Sequence, residues 1–278
     1  MSFFRFEGQR LAYTIHGSGP RTTVILPGLL LSQKMQAPLA RSLAAEGNRV
    51  ITMDPLGHGL SARPLEPWRY SMGAFALQTI ALLDHLEIDR VVLGGTSLGA
   101  NITLEVAARA PERLVGLIAE MPVLDHAIAG SAAAFTPLLL GLQYGTSAMR
   151  ALAAAARFTE RLGGRRVHGS LLEIALDWIA QDPEPSAAVL SGILYGRVAP
   201  DHRDRLAMQT PALVIGHERD PIHPFSDAGM LASELPDARL LHARSVVELR
   251  ARPQRLTAEI AAFIGQCWDA QAPALSVA

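Results

Sequence analysis

The chain of 278 residues holds one cysteine, Cys267, so no internal disulfide can form and the fold must stand on its core alone. Its net charge of -1 offers no electrostatic footing for nucleic acid or an anionic membrane. The opening residues MSFFRFEGQR lack the basic start and sustained apolar run of a secretion signal. No apolar window is expected to reach the roughly 18 residues of a membrane span. A Gly-rich phosphate loop after the first strands, an H-E-x-x-H and a cysteine cluster are all missing. His16, His85 and His168 are scattered without ligand spacing. The expectation is therefore a cytoplasmic protein with no cofactor and no metal. What the chain does have is 49% hydrophobic against 18% charged residues, enough to bury a core as one large domain or one domain plus an insertion.

Short β-branched runs alternate with stretches of helical period. RLAYTIHG, TTVILPG and NRVITMD read as early strands, and RVVLGG, RLVGLIAEM and TPALVIGH repeat the pattern. VVLGG and ALVIG are apolar on both faces, as expected of a parallel sheet covered on both sides. Between the strands lie patterns such as SMGAFALQTIALLDHL, where Met72, Ala76, Ile80, Leu83 and Leu86 share one helical face. This alternation predicts an α/β layered fold with a mostly parallel sheet. It stops over 123–206, an Ala- and Leu-rich stretch with Gly and Pro breaks and no convincing strand. The expected organisation is a core of residues 1–122 and 207–270, a helical cap over 123–206, and a frayed tail over 271–278.

The stretch VVLGGTSLGAN carries the chemistry. Four apolar or small residues, Val91 to Gly94, lead into Gly95-Thr96-Ser97-Leu98-Gly99, and a helical pattern follows at once. A serine on so tight a strand-to-helix turn needs small neighbours two positions away on each side, which Gly95 and Gly99 supply. The turn sets its hydroxyl at a helix N-terminus, where backbone N–H groups support a developing negative charge. The G-x-S-x-G pattern is frequent by chance but specific in this strand-turn-helix context.

With LPGLLLS at 26–32, DPLGHGLSARP at 54–64, GGTSLGA at 94–100 and GHERDPIHP at 216–224, the sequence resembles the α/β-hydrolase family over nearly its whole length. The family's usual His-Gly after the third strand is here Pro27-Gly28, and its usual Arg in the second segment is Leu56. The resemblance implies an oxyanion hole from the Leu29 and Leu98 amides. It also implies a structural role for His58 and a catalytic acid at Asp220, which falls in G-x-x-D-x-x-x-P. Asp125, just after LVGLIAEM, is a second and weaker candidate acid.

The family's histidine, in the loop after the last strand, has no counterpart. Counting back from Pro253 places Val246 there, and counting forward from Ala238 places Glu248. Two histidines are candidates for the base: His223, three residues past Asp220, and His242 within the last strand. Two functions stay open. One is a serine hydrolase cleaving a small ester, thioester or lactone through a Ser97 acyl-enzyme, with Asp220 orienting a displaced histidine. The other is a binding or signalling protein that keeps the pocket for an apolar small molecule without efficient turnover. A cofactor-independent lyase or oxygenase on the same fold would also need a base. The expected ligand is an ester-type or apolar small molecule, with no nucleic acid or membrane partner. The oligomeric state is not legible.

Overall fold

A computed structural model describes residues 1–162, 170–220 and 222–271. Eight strands form one sheet in the order β1-β2-β4-β3-β5-β6-β7-β8. They are β1 (Ser2–Phe6), β2 (Gln9–His16), β3 (Thr22–Leu26), β4 (Arg49–Asp54), β5 (Val91–Thr96), β6 (Leu114–Glu120), β7 (Ala212–His217) and β8 (Ala238–Ala243). β1 pairs with β2 and β2 with β4 in antiparallel register, and every pairing from β4 through β3 to β8 is parallel. β3, β5, β6 and β7 are buried along most or all of their length, because helices cover both faces of the sheet.

β1 was not anticipated from the sequence. It closes on β2 through Glu7-Gly8, both with positive φ, the geometry of a two-residue hairpin turn. Glu-Gly is a weaker signal for that turn than Asn-Gly or Asp-Gly.

The helices are α1 (Ala37–Ala45), α2 (Met72–His85), α3 (Leu98–Arg109), α4 (Ala127–Tyr144), α5 (Thr146–Leu162), α6 (Leu171–Ile179), α7 (Pro183–Leu194), α8 (His202–Ala207), α9 (Phe225–Glu234), α10 (Glu248–Ala251) and α11 (Gln254–Asp269). On one face, Leu43 of α1 and Ile260 and Ile264 of α11 pack against Val50, Val92 and Ile215 of the sheet. On the other, Phe75 and Leu82 of α2, Ile102 and Val106 of α3 and Val189 of α7 pack against Leu26, Leu93 and Val214. Between β6 and β7 the described residues contain helices and no strand. The tail residues 272–278 and His168 lie outside the described residues.

One sequence expectation is corrected. α4 spans 18 residues at a mean hydropathy of 1.3 with only 17% of the window buried, so among the described residues one helix is long and apolar enough by length and composition to cross a membrane. Its length hides in alanine, glycine and serine, which interrupt any eye-read run of large apolar side chains without lowering the average much.

β3 lies between β4 and β5, so the chain leaves β3 toward one side of the sheet and returns to the other. The loops after β3 and β5 therefore diverge and leave a crevice at the carboxyl ends of the strands, the position where open α/β sheets bind ligands. Ser97 and Leu29 stand at that crevice.

Candidate active site

Ser97 joins β5 to α3 with φ 54° and ψ -110°, a left-handed backbone that costs a side-chain-bearing residue about 1–3 kcal/mol and persists only where its surroundings impose it. Here they do. The Ser97 amide donates to the Glu120 carbonyl at 2.8 Å and its carbonyl accepts from the Asn101 amide at 3.0 Å. A Cβ on Gly95 would lie 2.3 Å from the Gly99 carbonyl carbon, and one on Gly99 would lie 2.6 Å from the Leu26 oxygen. Both glycines are thus required by close backbone approach, as the motif implied. Gly28 is less constrained: its nearest obstacle would be the Leu31 side chain at 3.3 Å.

The loop between β7 and α9 brings two further groups to the serine. His223 Nε2 stands 2.8 Å from Ser97 Oγ, and His223 Nδ1 stands 2.8 Å from Asp220 Oδ2. With Nδ1 protonated and donating to the carboxylate, Nε2 is left to accept the serine hydroxyl proton. The other Asp220 oxygen accepts the Ile222 and His223 amides at 2.9 and 3.0 Å. The carboxylate therefore fixes both the loop backbone and the ring it carries. Burial pushes the Asp220 carboxyl up, but the hydrogen bonds and charge of His223 outweigh it and hold the group below its ordinary value. The acid and the histidine side chains are 6% and 14% exposed and so largely shielded from bulk solvent.

A cavity of about 60 Å³ beside the serine is lined by Ser97, Leu29 and Leu98 from the core and by Phe135 of α4 and Leu190 and Leu194 of α7. The Leu29 and Leu98 amides enter no hydrogen bond among the described residues and so remain available as donors.

The other candidates lie elsewhere. His242 on β8 is half exposed, stacks on Phe225 and has Glu218 at 3.5 Å, with no contact to Ser97. Asp125 pairs with Arg205 at 3.0 Å and is 61% exposed. His58 is fully buried, with Nδ1 on the Leu56 carbonyl at 2.9 Å, and burial pushes its pKa down to about 4. Glu248 takes the Arg244 amide and the Arg255 guanidinium, and Val246 is exposed. Neither position counted for the missing histidine bears on the serine. The loop after β8 has been given other work: Arg250 on α10 reaches Glu120 at 2.9 Å and Thr96 at 2.7 Å, directly before the nucleophile position.

Sequence reading missed the groups that seat the helical insertion. Asn101, one turn into α3, donates to the Val123 and Val198 carbonyls at 2.7 and 2.6 Å and accepts the Val123 amide at 3.0 Å. It thereby ties both ends of the insertion to the helix that Ser97 begins. Asp227 of α9, fully buried, accepts the Leu124, His126 and Ala127 amides at 2.7, 3.0 and 3.0 Å, satisfying the start of α4. An Asn four residues beyond the elbow serine was visible in sequence. The Asp227 contact spans a hundred residues and had no local signature.

Comparison with known proteins agrees with this architecture. Residues 23–157 match a model of the alpha/beta hydrolase fold. A putative non-heme haloperoxidase of Mycobacterium phage D29 is 32% identical over 40% of this chain and 39% of its own length. A 2-hydroxymuconate semialdehyde hydrolase of Pseudomonas sp. (strain CF600) is 34% identical over 46% of this chain and 38% of its own. The chain thus spans about two fifths of the length of these two curated relatives. The crystal structure of an enol-lactonase from Burkholderia xenovorans LB400 superposes with a TM-score of 0.78 at 25% identity, covering 95% of this chain and all of the other. The chain has an eight-stranded, mostly parallel sheet flanked by helices, which is the α/β-hydrolase fold.

Proposed function

We propose that this chain is a serine hydrolase that cleaves a small ester, thioester or lactone, with Ser97 as nucleophile, His223 as base and Asp220 as the acid that orients it. The observation that carries the reading is the unbroken hydrogen-bonded line Ser97–His223–Asp220, with both links at 2.8 Å. It also favours catalysis over the alternative of a binding protein without turnover, since a pocket kept only for binding has no need of an aligned proton acceptor.

The steps follow from that line. Ser97 Oγ attacks the substrate carbonyl as its proton passes to His223 Nε2, and Asp220 stabilises the imidazolium that results. The Leu29 and Leu98 amides hold the oxyanion, and the α3 N-terminus adds its dipole. When the tetrahedral species collapses, the alkoxide or thiolate leaves with the proton from Nε2, and the acyl group stays on Ser97. Water then gives a proton to Nε2, attacks the acyl carbon, and frees the acid as Ser97 takes its proton back. The helical insertion serves as a cap. At about 60 Å³, with roughly 30 Å³ per water in the liquid as a yardstick, the cavity suits a short acyl group of a few carbons. The hydrolase and lactonase names of the relatives support this substrate class.

The test is labelling by a fluorophosphonate probe at neutral pH. The native protein is expected to label rapidly and Ser97→Ala not at all. A folded native protein that stays unlabelled would point instead to the binding role.

A further inference from the structure

A second cavity of about 540 Å³ lies between the core and the helical insertion and shares no lining residue with the one over Ser97. Four cations from four different elements line it. Lys34 follows β3, Arg41 belongs to α1, Arg63 follows β4, and Arg157 comes from α5. Among the described residues only two carboxylates, Asp54 and Asp177, line it with them, while Arg157 also donates to the Ala180 carbonyl at 2.7 Å and pairs at 2.9 Å with the exposed Asp182, and Arg63 donates to the Gly59 carbonyl. Asp54 is already engaged by the Gln33 amide at 2.6 Å, the Leu60 amide at 3.0 Å and the Gln33 side chain at 3.1 Å. Asp177 takes the Ser32 amide at 2.9 Å and stands 3.9 Å from Lys34 Nζ. Side chains this long can point to water, so converging like charges on one concavity costs repulsion that an anion would offset.

Gln181 completes the lining. It is 8% exposed and donates to the Asp177 carbonyl at 2.7 Å, while its side-chain oxygen is buried without a partner. An orphaned buried acceptor on the wall of a basic cleft can take a hydrogen bond from an occupant that carries an O–H. Arginine forks match phosphate oxygens, and a phosphate keeps one proton near pH 6.

We infer that this cleft is a binding site for a phosphate group, free or as a small monoester, held by Lys34, Arg63 and Arg157 with the Gln181 side-chain oxygen accepting a hydrogen bond from its O–H. The site joins the insertion to the segment just after the Leu29 loop, through Asp177 on α6 and Ser32. Its occupant therefore clamps α6 to the core. The inference does not depend on the Ser97 chemistry.

Titration calorimetry at pH 6, with inorganic phosphate and with glycerol 1-phosphate against sodium chloride at matched ionic strength, tests it. One molecule is expected to bind per chain, unchanged in Ser97→Ala and at least tenfold weaker in Arg63→Gln/Arg157→Gln. Amide hydrogen exchange across α6 is expected to slow on binding in the native protein. Should the double variant fail to fold, Lys34→Gln, which alters a half-exposed side chain, is expected to weaken binding severalfold. A monoester binding more tightly than phosphate would identify an organic phosphate as the occupant, and equal affinities would identify free phosphate. No heat above the chloride control, or undiminished affinity in the folded variants, would overturn the site.

Discussion

His223 and Asp220 sit three residues apart on one loop, so the hydrogen-bonded pair beside Ser97 is set by a single short segment rather than by two loops that must meet. Losing the imidazole removes the proton acceptor outright. His223→Ala is expected to lower kcat on a p-nitrophenyl acetate substrate at least a thousandfold, within the range for removing one member of such a triad. His242→Ala, which touches Phe225 and Glu218 but not the serine, should stay within about twofold of the native rate. The reverse outcome would move the base to β8. The proposed nucleophile and acid stand out in sequence because each lies in a local motif whose backbone demands are visible there. The proposed base stands out only as one of two candidates. An i, i+3 carboxylate-imidazole pair has no spacing that separates it from a surface turn, and it is the placement of Ser97 opposite the loop that favours His223 over His242.

Among the elements, β2 through β7 were readable from apolar runs and their spacing and β8 only through the family resemblance, whereas β1 was not, because its five residues carry one buried side chain, Phe4, and a turn of uncommon composition. The helical character of the insertion was readable too. Which of its faces meets Ser97 was not, since the hydrophobic period of α4 and α7 shows that a face is buried but not against what. The cavity they share with Ser97 sets the next expectation. Leu190 of α7 closes the small cavity over Ser97, and Leu190→Ala should open room for longer acyl groups. The ratio of kcat/KM for octanoyl over acetyl p-nitrophenyl esters is expected to rise about tenfold, roughly what one or two extra methylenes in a pocket are worth. An unchanged ratio would mean that the acyl chain lies elsewhere. α10 supplies a different test. Its Arg250 pairs with buried Glu120 beneath the elbow, the two side chains being 8% and 4% exposed. Arg250→Met should destabilise the fold by about 3–5 kcal/mol by stranding that carboxylate. Adding Glu120→Gln to Arg250→Met should recover part of the loss, as read from urea midpoints.

Across the whole molecule, histidines buried in neutral form make stability depend on pH well above the carboxylate range. His58 is fully buried, edges against Phe75 and has its pKa pushed down to about 4 by burial. Burial also lowers His217, at the end of β7, and His16. For each, the folded chain accepts a proton less readily than the unfolded chain. As pH falls below about 6.5 the unfolded state therefore takes up protons that the fold refuses, and stability drops until the folded value is reached. For His58 that window runs from about 6.5 down to about 4, and the full loss is about 3 kcal/mol at roughly 1.4 kcal/mol per unit. Asp220 behaves in the opposite way within a lower window. Its carboxyl is held below its ordinary value, so its contribution is intact above pH 4 and fades only as pH falls further. Between pH 6.5 and 4.5 the histidine effect can thus be read before Asp220 begins to lose its charge. The urea midpoint of the native protein is expected to fall steadily across that interval, and the fall should be shallower in His58→Gln. Glutamine can still donate to the Leu56 carbonyl but cannot titrate. Equal slopes in the two proteins would mean that His58 is protonated as easily in the fold as out of it.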